Sequence, residues 1–174
     1  MDDIVIRSML KWPDIPDVYG WLQLDRRGNW RLRDESTESE GAAFGTIGNV
    51  AFREFIARNY AVDKRGCWFF QNGPQRVFVR LAYAPYVFHF ADGGIFDHCG
   101  APAETIQGAW IDDEGSVVLS TGGRIGLLDD RDLSGLADQV AEGVVRIRST
   151  SLPVGTLHAN EIEARFGFVR DPKP

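Results

Sequence analysis

The chain has no run of 18 uninterrupted apolar residues, so nothing in it reads as a membrane-spanning helix. It also lacks a basic excess. Its 19 basic residues stand against 25 acidic ones, and a net charge of −6 argues against a surface dedicated to nucleic-acid phosphates. Met1-Asp2-Asp3 places acid where a secretory signal carries base, so the cytoplasm is the expected compartment. Cysteine is scarce, and Cys67 and Cys99 are expected as reduced thiols rather than a disulfide. Only three histidines occur, and no Cys-x-x-Cys, His-Glu-x-x-His, Gly-x-Ser-x-Gly or Gly-Lys-Ser/Thr accompanies them. What remains is a chain of 174 residues, 44% hydrophobic, enough for a sizeable core. It reads as one globular unit over 1–174, or at most two small lobes, 1–59 and 60–174.

The most informative pattern present is Asp25-Arg26-Arg27-Gly28-Asn29-Trp30, which returns as Asp63-Lys64-Arg65-Gly66-Cys67-Trp68. Asp accepts backbone N–H groups at the start of a turn, Gly takes a positive φ, and Trp opens the return strand, so each copy predicts a β-hairpin. A weaker third copy is Asp112-Asp113-Glu114-Gly115-Ser116-Val117. Two copies of a turn motif do not separate an ancient duplication of 19–33 and 57–71 from the general usefulness of Asp-x-x-Gly.

Along the chain, Ile4, Met9, Leu10 and Trp12 predict a short amphipathic helix stopped by Pro13 and Pro16. The first hairpin follows, and Asp34 to Gly48 reads as a loop. Asn49 caps a helix to about Asn59, with Val50, Phe52, Phe55 and Ile56 as its apolar stripe. From Tyr60 to Leu128 short strands succeed one another as a meander or small barrel, with turns at Asn72-Gly73-Pro74, Asp92-Gly93-Gly94 and Gly122-Gly123. In Arg76 to Leu81, Val77, Val79 and Leu81 alternate against Arg76, Phe78 and Arg80. A helix is expected over Leu133 to Ala141, a strand over Val144 to Arg148, and a last strand over Phe166 to Val169. The expected fold is therefore α+β: mostly antiparallel β built from repeated Asp-x-x-Gly hairpins, with two or three covering helices.

Lys11-Trp12-Pro13-Asp14-Ile15-Pro16, Tyr19-Gly20-Trp21, the two Asp-to-Trp turns and above all Trp68-Phe69-Phe70-Gln71-Asn72-Gly73-Pro74-Gln75-Arg76 carry a resemblance. Over most of its length the chain resembles a family of small bacterial proteins known only as a domain of unknown function. The resemblance implies a shared domain and brings no activity, cofactor or site residue with it.

Two groups of residues carry chemistry. Gln71, Asn72, Gln75 and Arg76 gather beside Trp68 at the end of a predicted hairpin, where amides donate and accept and a guanidinium holds an anion, and Trp110 is placed near the same pocket. As a metal or catalytic alternative, His89 and His98 face each other across Asp92-Gly93-Gly94 with Asp97 or Cys99 beside them, although strand alternation sends Asp97 and Cys99 to the face opposite His98. The loop Gly41 to Gly48 lacks a phosphate-binding motif, Asp112 to Gly115 lacks the spacing of a calcium loop, and Arg26, Arg27, Arg31 and Arg33 read as a wet strand face rather than a base-stacking ribbon. The balance favours a non-enzymatic binding or interaction module, contacting a protein partner or a second copy and using no cofactor, nucleic acid or membrane. A sensor for a small polar or anionic ligand is the alternative, and a metal-dependent hydrolase built on His89 and His98 is the third reading.

Overall fold

A computed structural model describes residues 1–34, 43–147 and 150–174. The chain divides into two units: residues 1–25, 29–82 and 168–174 form the first, and residues 26–28 and 83–167 the second.

In the first unit, helix α1 (Asp3–Lys11) precedes strands β1 (Val18–Leu24), β2 (Trp30–Arg33) and β3 (Phe44–Thr46). Helix α2 (Val50–Arg58) then leads to β4 (Tyr60–Val62), β5 (Trp68–Asn72) and β6 (Gln75–Leu81). The six strands form one sheet in the order β3-β2-β1-β6-β5-β4. Hairpins close at the Asp25, Asp63 and Gly73 turns, with Leu22 opposite Leu32, Ala61 opposite Phe69 and Gln71 opposite Arg76. The first and the last of them lie side by side through β1 and β6. The join between them is a parallel pairing, Leu22 beside Val79, so the sheet is mixed and neither a meander nor a barrel. Residues 57 positions apart leave no local signal for that pairing. Asn49 caps α2 as expected, its Oδ1 accepting the Phe52 N–H at 2.9 Å. The expected loop Asp34 to Gly48 contains β3, and its residues 35–42, including Gly41, lie outside the described residues.

Phe78 departs from the expected alternation. It is buried together with Val79, because Tyr19 stacks on it at 4.5 Å and Phe69 packs at 5.7 Å. Apolar groups therefore cover both faces of β6, which erases the period of two.

The second unit contains β7 (Tyr86–Ala91), β8 (Gly94–Asp97), β9 (Gly108–Asp112), β10 (Val117–Thr121) and β11 (Arg124–Leu128). A 3-10 helix (Asp130–Gly135), α3 (Ala137–Ala141), β12 (Val144–Ile147), β13 (Thr150–Leu157) and α4 (Ile162–Phe166) complete it. Its sheet runs β12-β13-β9-β10-β11-β7-β8, with β13 parallel to β9 and β11 parallel to β7. Phe88, Ile95, Leu119, Leu128, Leu136 and Val145 lie in its core.

The described residues thus form four α-helices and one 3-10 helix, more than the two or three expected. The helix expected over Leu133 to Ala141 breaks at Leu136 into the 3-10 helix and α3. Asp129 accounts for the early start, since its Oδ1 accepts the Arg131 N–H and caps the first turn. The strand expected over Phe166 to Val169 is a correction too. Ile162 to Phe166 are helical, Gly167 ends the helix at φ +70°, and only Val169 makes a bridge, to Cys67. Arg148, the end of the strand expected from Val144, lies outside the described residues.

Turn chemistry is visible atom by atom. Asp63 Oδ1 accepts the Arg65 and Cys67 N–H groups, and Asp112 Oδ1 accepts those of Glu114 and Ser116. Asp97 Oδ1 accepts those of Cys99 and Ala101 in the same way, at a position where the sequence offered a histidine and a cysteine as the distraction.

Candidate functional site

Helix α1 is attached to the first unit by few contacts. Val5 is its one buried residue, and the Asp2 N–H donates to Asn59 Oδ1 at 2.8 Å while Arg58 pairs with the Asp2 carboxylate. One pinned flank leaves much of the helix in solvent, with Ser8 and Met9 half-buried. Ile6 and Leu10, one turn apart, are 44% and 81% exposed, and Trp12 and Ile15 beyond the helix are exposed as well. The amphipathic helix expected from Ile4, Met9, Leu10 and Trp12 is present, but Ile4, Leu10 and Trp12 are outside the core that the pattern implied.

Beside this flank a groove of about 730 Å³ runs between the Pro13 to Asp17 connector and the turn of the β5–β6 hairpin. Leu10, Asp14, Asp17, Gln71, Pro74 and Arg76 are among the residues that line it. The connector is held to the hairpin by Gln75, whose Nε2 donates to the Pro16 carbonyl at 3.0 Å. Gly73 takes φ +58° in the tight turn, which lets the hairpin close within two residues.

Gln71 is the unusual member. It is 1% exposed, its backbone N–H donates to the Asn59 carbonyl, and its side-chain Nε2 donates to the Gly73 carbonyl at 2.9 Å. That last contact fixes the amide orientation, since reversing it sets two acceptors against each other. Its Oε1 is then buried with no hydrogen-bond partner among the described residues. Arg76, opposite Gln71 in the ladder, lays its guanidinium over the Phe69 ring at 4.7 Å and has no ion-pair partner among the described residues.

Of the other residues named from the sequence, Asn72 is exposed opposite Gln75, and Trp68 is half-buried against Tyr60 at 4.7 Å. Trp110 belongs to the second unit, where it has a structural job. A Cβ at Gly108 would lie 2.2 Å from its Cη2, and one at Gly155 would lie 2.6 Å from its Cδ1. The indole therefore lies flat over two glycines, with Phe166 edge-on at 5.1 Å and the Arg165 guanidinium over it at 5.4 Å. Gly155→Ala should cost about 1–3 kcal/mol in a urea unfolding series, because the ring has to leave its seat.

His98 also lies in the second unit. Its Nδ1 accepts the Val87 N–H at 3.3 Å, so the proton sits on Nε2, 3.5 Å from Cys99 Sγ. Burial pushes this imidazole down to about 4 and the Cys99 thiol up to about 12. A neutral imidazole beside a neutral thiol is the reverse of an activated nucleophile pair. His89 pairs across the ladder with Phe96, and among the described residues no group of three or more His, Cys, Asp and Glu is arranged to hold a metal. Three of the arginines flanking Trp30 in sequence have partners within the chain: Arg26 donates to Ser116 Oγ at 2.7 Å, Arg27 to the Asp130 carboxylate, and Arg31 to the Phe44 carbonyl.

The sequence named Gln71 and Arg76 through turn chemistry, and the groove they line is also lined by Leu10, Asp14, Ile15 and Asp17, which the sequence did not single out as site residues. No described helix is long and apolar enough to cross a membrane.

Set against known proteins, residues 1–173 match the family described as "Protein of unknown function (DUF2946)". No curated protein matches. Among solved structures, a DUF1285 family protein from Silicibacter pomeroyi DSS-3 is similar at TM-score 0.50 and 13% identity, covering 94% of this chain and 99% of that one. A DUF1285 family protein from Shewanella baltica OS155 reaches TM-score 0.46 at 15% identity, over 68% of this chain and 91% of that one. At 13% identity, the similarity to the Silicibacter pomeroyi protein speaks for a shared fold alone.

Proposed function

We propose, for a chain that belongs to the DUF2946 family of unknown function, a non-enzymatic interaction module that takes a protein partner on the exposed flank of α1 and the connector after it. The observation that carries this reading is the exposure of Leu10 and Ile6 on a helix otherwise patterned to be buried. A helix that keeps its aliphatic side chains in water forgoes about 1.5–3 kcal/mol per side chain, which a partner's surface would recover. The absence of an activated nucleophile at Cys99 favours binding over hydrolysis. A cytoplasmic setting is consistent with two free thiols, Cys67 and Cys99. We read the Asp-led turns at Asp63, Asp97 and Asp112 as one hairpin design reused to hold the scaffold rigid.

The test is photo-cross-linking in producing cells with p-benzoylphenylalanine in place of Leu10, compared with the same group in place of exposed Glu104 in the second unit. A discrete adduct from position 10 and none from position 104 is expected, its mass distinguishing another protein from a second copy. No adduct at position 10, or equal adducts at both, would overturn the reading.

A further inference from the structure

The groove beside α1 carries its own chemistry, and from it we infer that the partner offers an extended apolar peptide segment with a Lys or Arg side chain, bound between the connector and the β5–β6 turn. This rests on the interaction-module reading and specifies its ligand. Three features select that occupant.

Gln71 Oε1 is a buried acceptor with no donor among the described residues, in a side chain that lines the groove and whose orientation is fixed by Gly73. Orphaned carbonyl oxygens of this kind are rare in folded proteins, and a peptide N–H or a side-chain donor would complete this one. Next, Asp14 and Asp17 are exposed carboxylates on the groove with no ion-pair partner among the described residues. Against them stands the single guanidinium of Arg76, already placed over Phe69, so the rim carries one more negative charge than positive. Charge complementarity therefore favours a basic ligand over an acidic one. Lastly, Leu10, Ile15 and Pro74 add apolar lining, and 730 Å³ is room for several residues of chain. Arg76 has its remaining N–H groups for peptide carbonyls on the same ligand.

The experiment selects phage-displayed random dodecapeptides on the immobilised full-length protein, then measures the enriched peptides, synthesised with a fluorophore, by fluorescence anisotropy. The expected peptides combine apolar residues with Lys or Arg and bind more weakly as salt rises. Asp14→Asn/Asp17→Asn should weaken them about 3–10-fold and flatten the salt dependence. Gln71→Leu should weaken them about 5-fold while the melting temperature changes little, since the orphaned acceptor and the single Nε2 bond to the Gly73 carbonyl are removed together. That pairing of weaker binding with little-changed stability separates a ligand-facing Gln71 from a structural one. Enriched peptides that are acidic or uncharged, peptides indifferent to all these substitutions, or no enrichment at all would overturn the inference. Should uncharged peptides bind and lose affinity on Leu10→Gln alone, the interaction-module reading stands and its ligand chemistry fails.

Discussion

Asp97→Ala is expected to destabilise the second unit by about 3–5 kcal/mol, the largest effect of any single side-chain truncation considered. Asp97 is 1% exposed, and its two oxygens have separate duties. Oδ1 holds the Cys99 and Ala101 N–H groups that close the turn after β8, and Oδ2 takes Arg124 Nη1 at 2.5 Å. Arg124 in turn donates to the Pro102 carbonyl at 2.7 Å and is largely buried. Truncation orphans two backbone donors and strands a guanidinium with its counter-charge gone, which costs far more than the net worth of the pair. Asp97→Asn keeps one acceptor for the turn and should lose about half as much. Urea unfolding of the three proteins checks this, and a loss below about 1 kcal/mol for the alanine variant would mean that the turn is held by other contacts.

The second large effect is a loss of stability in mild acid centred on His98. In the folded protein burial depresses its imidazole to about 4, against 6.5 for the ordinary side chain. Between those values the unfolded chain binds the proton and the folded one does not, so stability rises with pH across that window. Stabilisation from the neutral ring is complete above pH 6.5 and lost as pH falls towards 4, a total of about 3 kcal/mol at 1.36 kcal/mol per unit. Val87 N–H on Nδ1 reinforces the sign, because a protonated ring could not accept it. Chemical denaturation from pH 4 to 7 should show this slope in the native sequence. His98→Gln, which offers an acceptor and does not titrate in that range, should flatten it.

The turn at Asp63 was legible because Asx chemistry is confined to five residues, and so were the α2 cap at Asn49 and the β5–β6 hairpin. The equivalent turn at Asp97 was overlooked because His98 and Cys99 invited a metal reading, while the aspartate between strand and turn did the structural work. Nonlocal pairings were invisible: nothing in Leu22 and Val79 announces that β1 and β6 run in parallel. Val169 was drawn into a strand by a short apolar run, but Gly167 stops a helix there and one bridge to Cys67 is all the sheet it makes.

For the groove, Gln71 and Arg76 are legible from the hairpin that carries them, whereas the rest of its lining comes largely from a connector of prolines and aspartates with no periodic signal. The α1 pattern misled in an instructive way. Period 3.6 shows that a face is apolar, and only the structure tells whether this chain or another one covers it.

Whether that flank serves the fold or a partner is the central question, and the stability of Ile6→Gln/Leu10→Gln answers it most directly. Gln propagates a helix nearly as well as Leu, so the substitution removes apolar surface and little else. Urea unfolding of this variant should match the native protein within about 1 kcal/mol, as surface changes do. A loss of 3 kcal/mol or more, on the order of a truncated core aliphatic, would place Ile6 and Leu10 in the protein's own core and contradict the account.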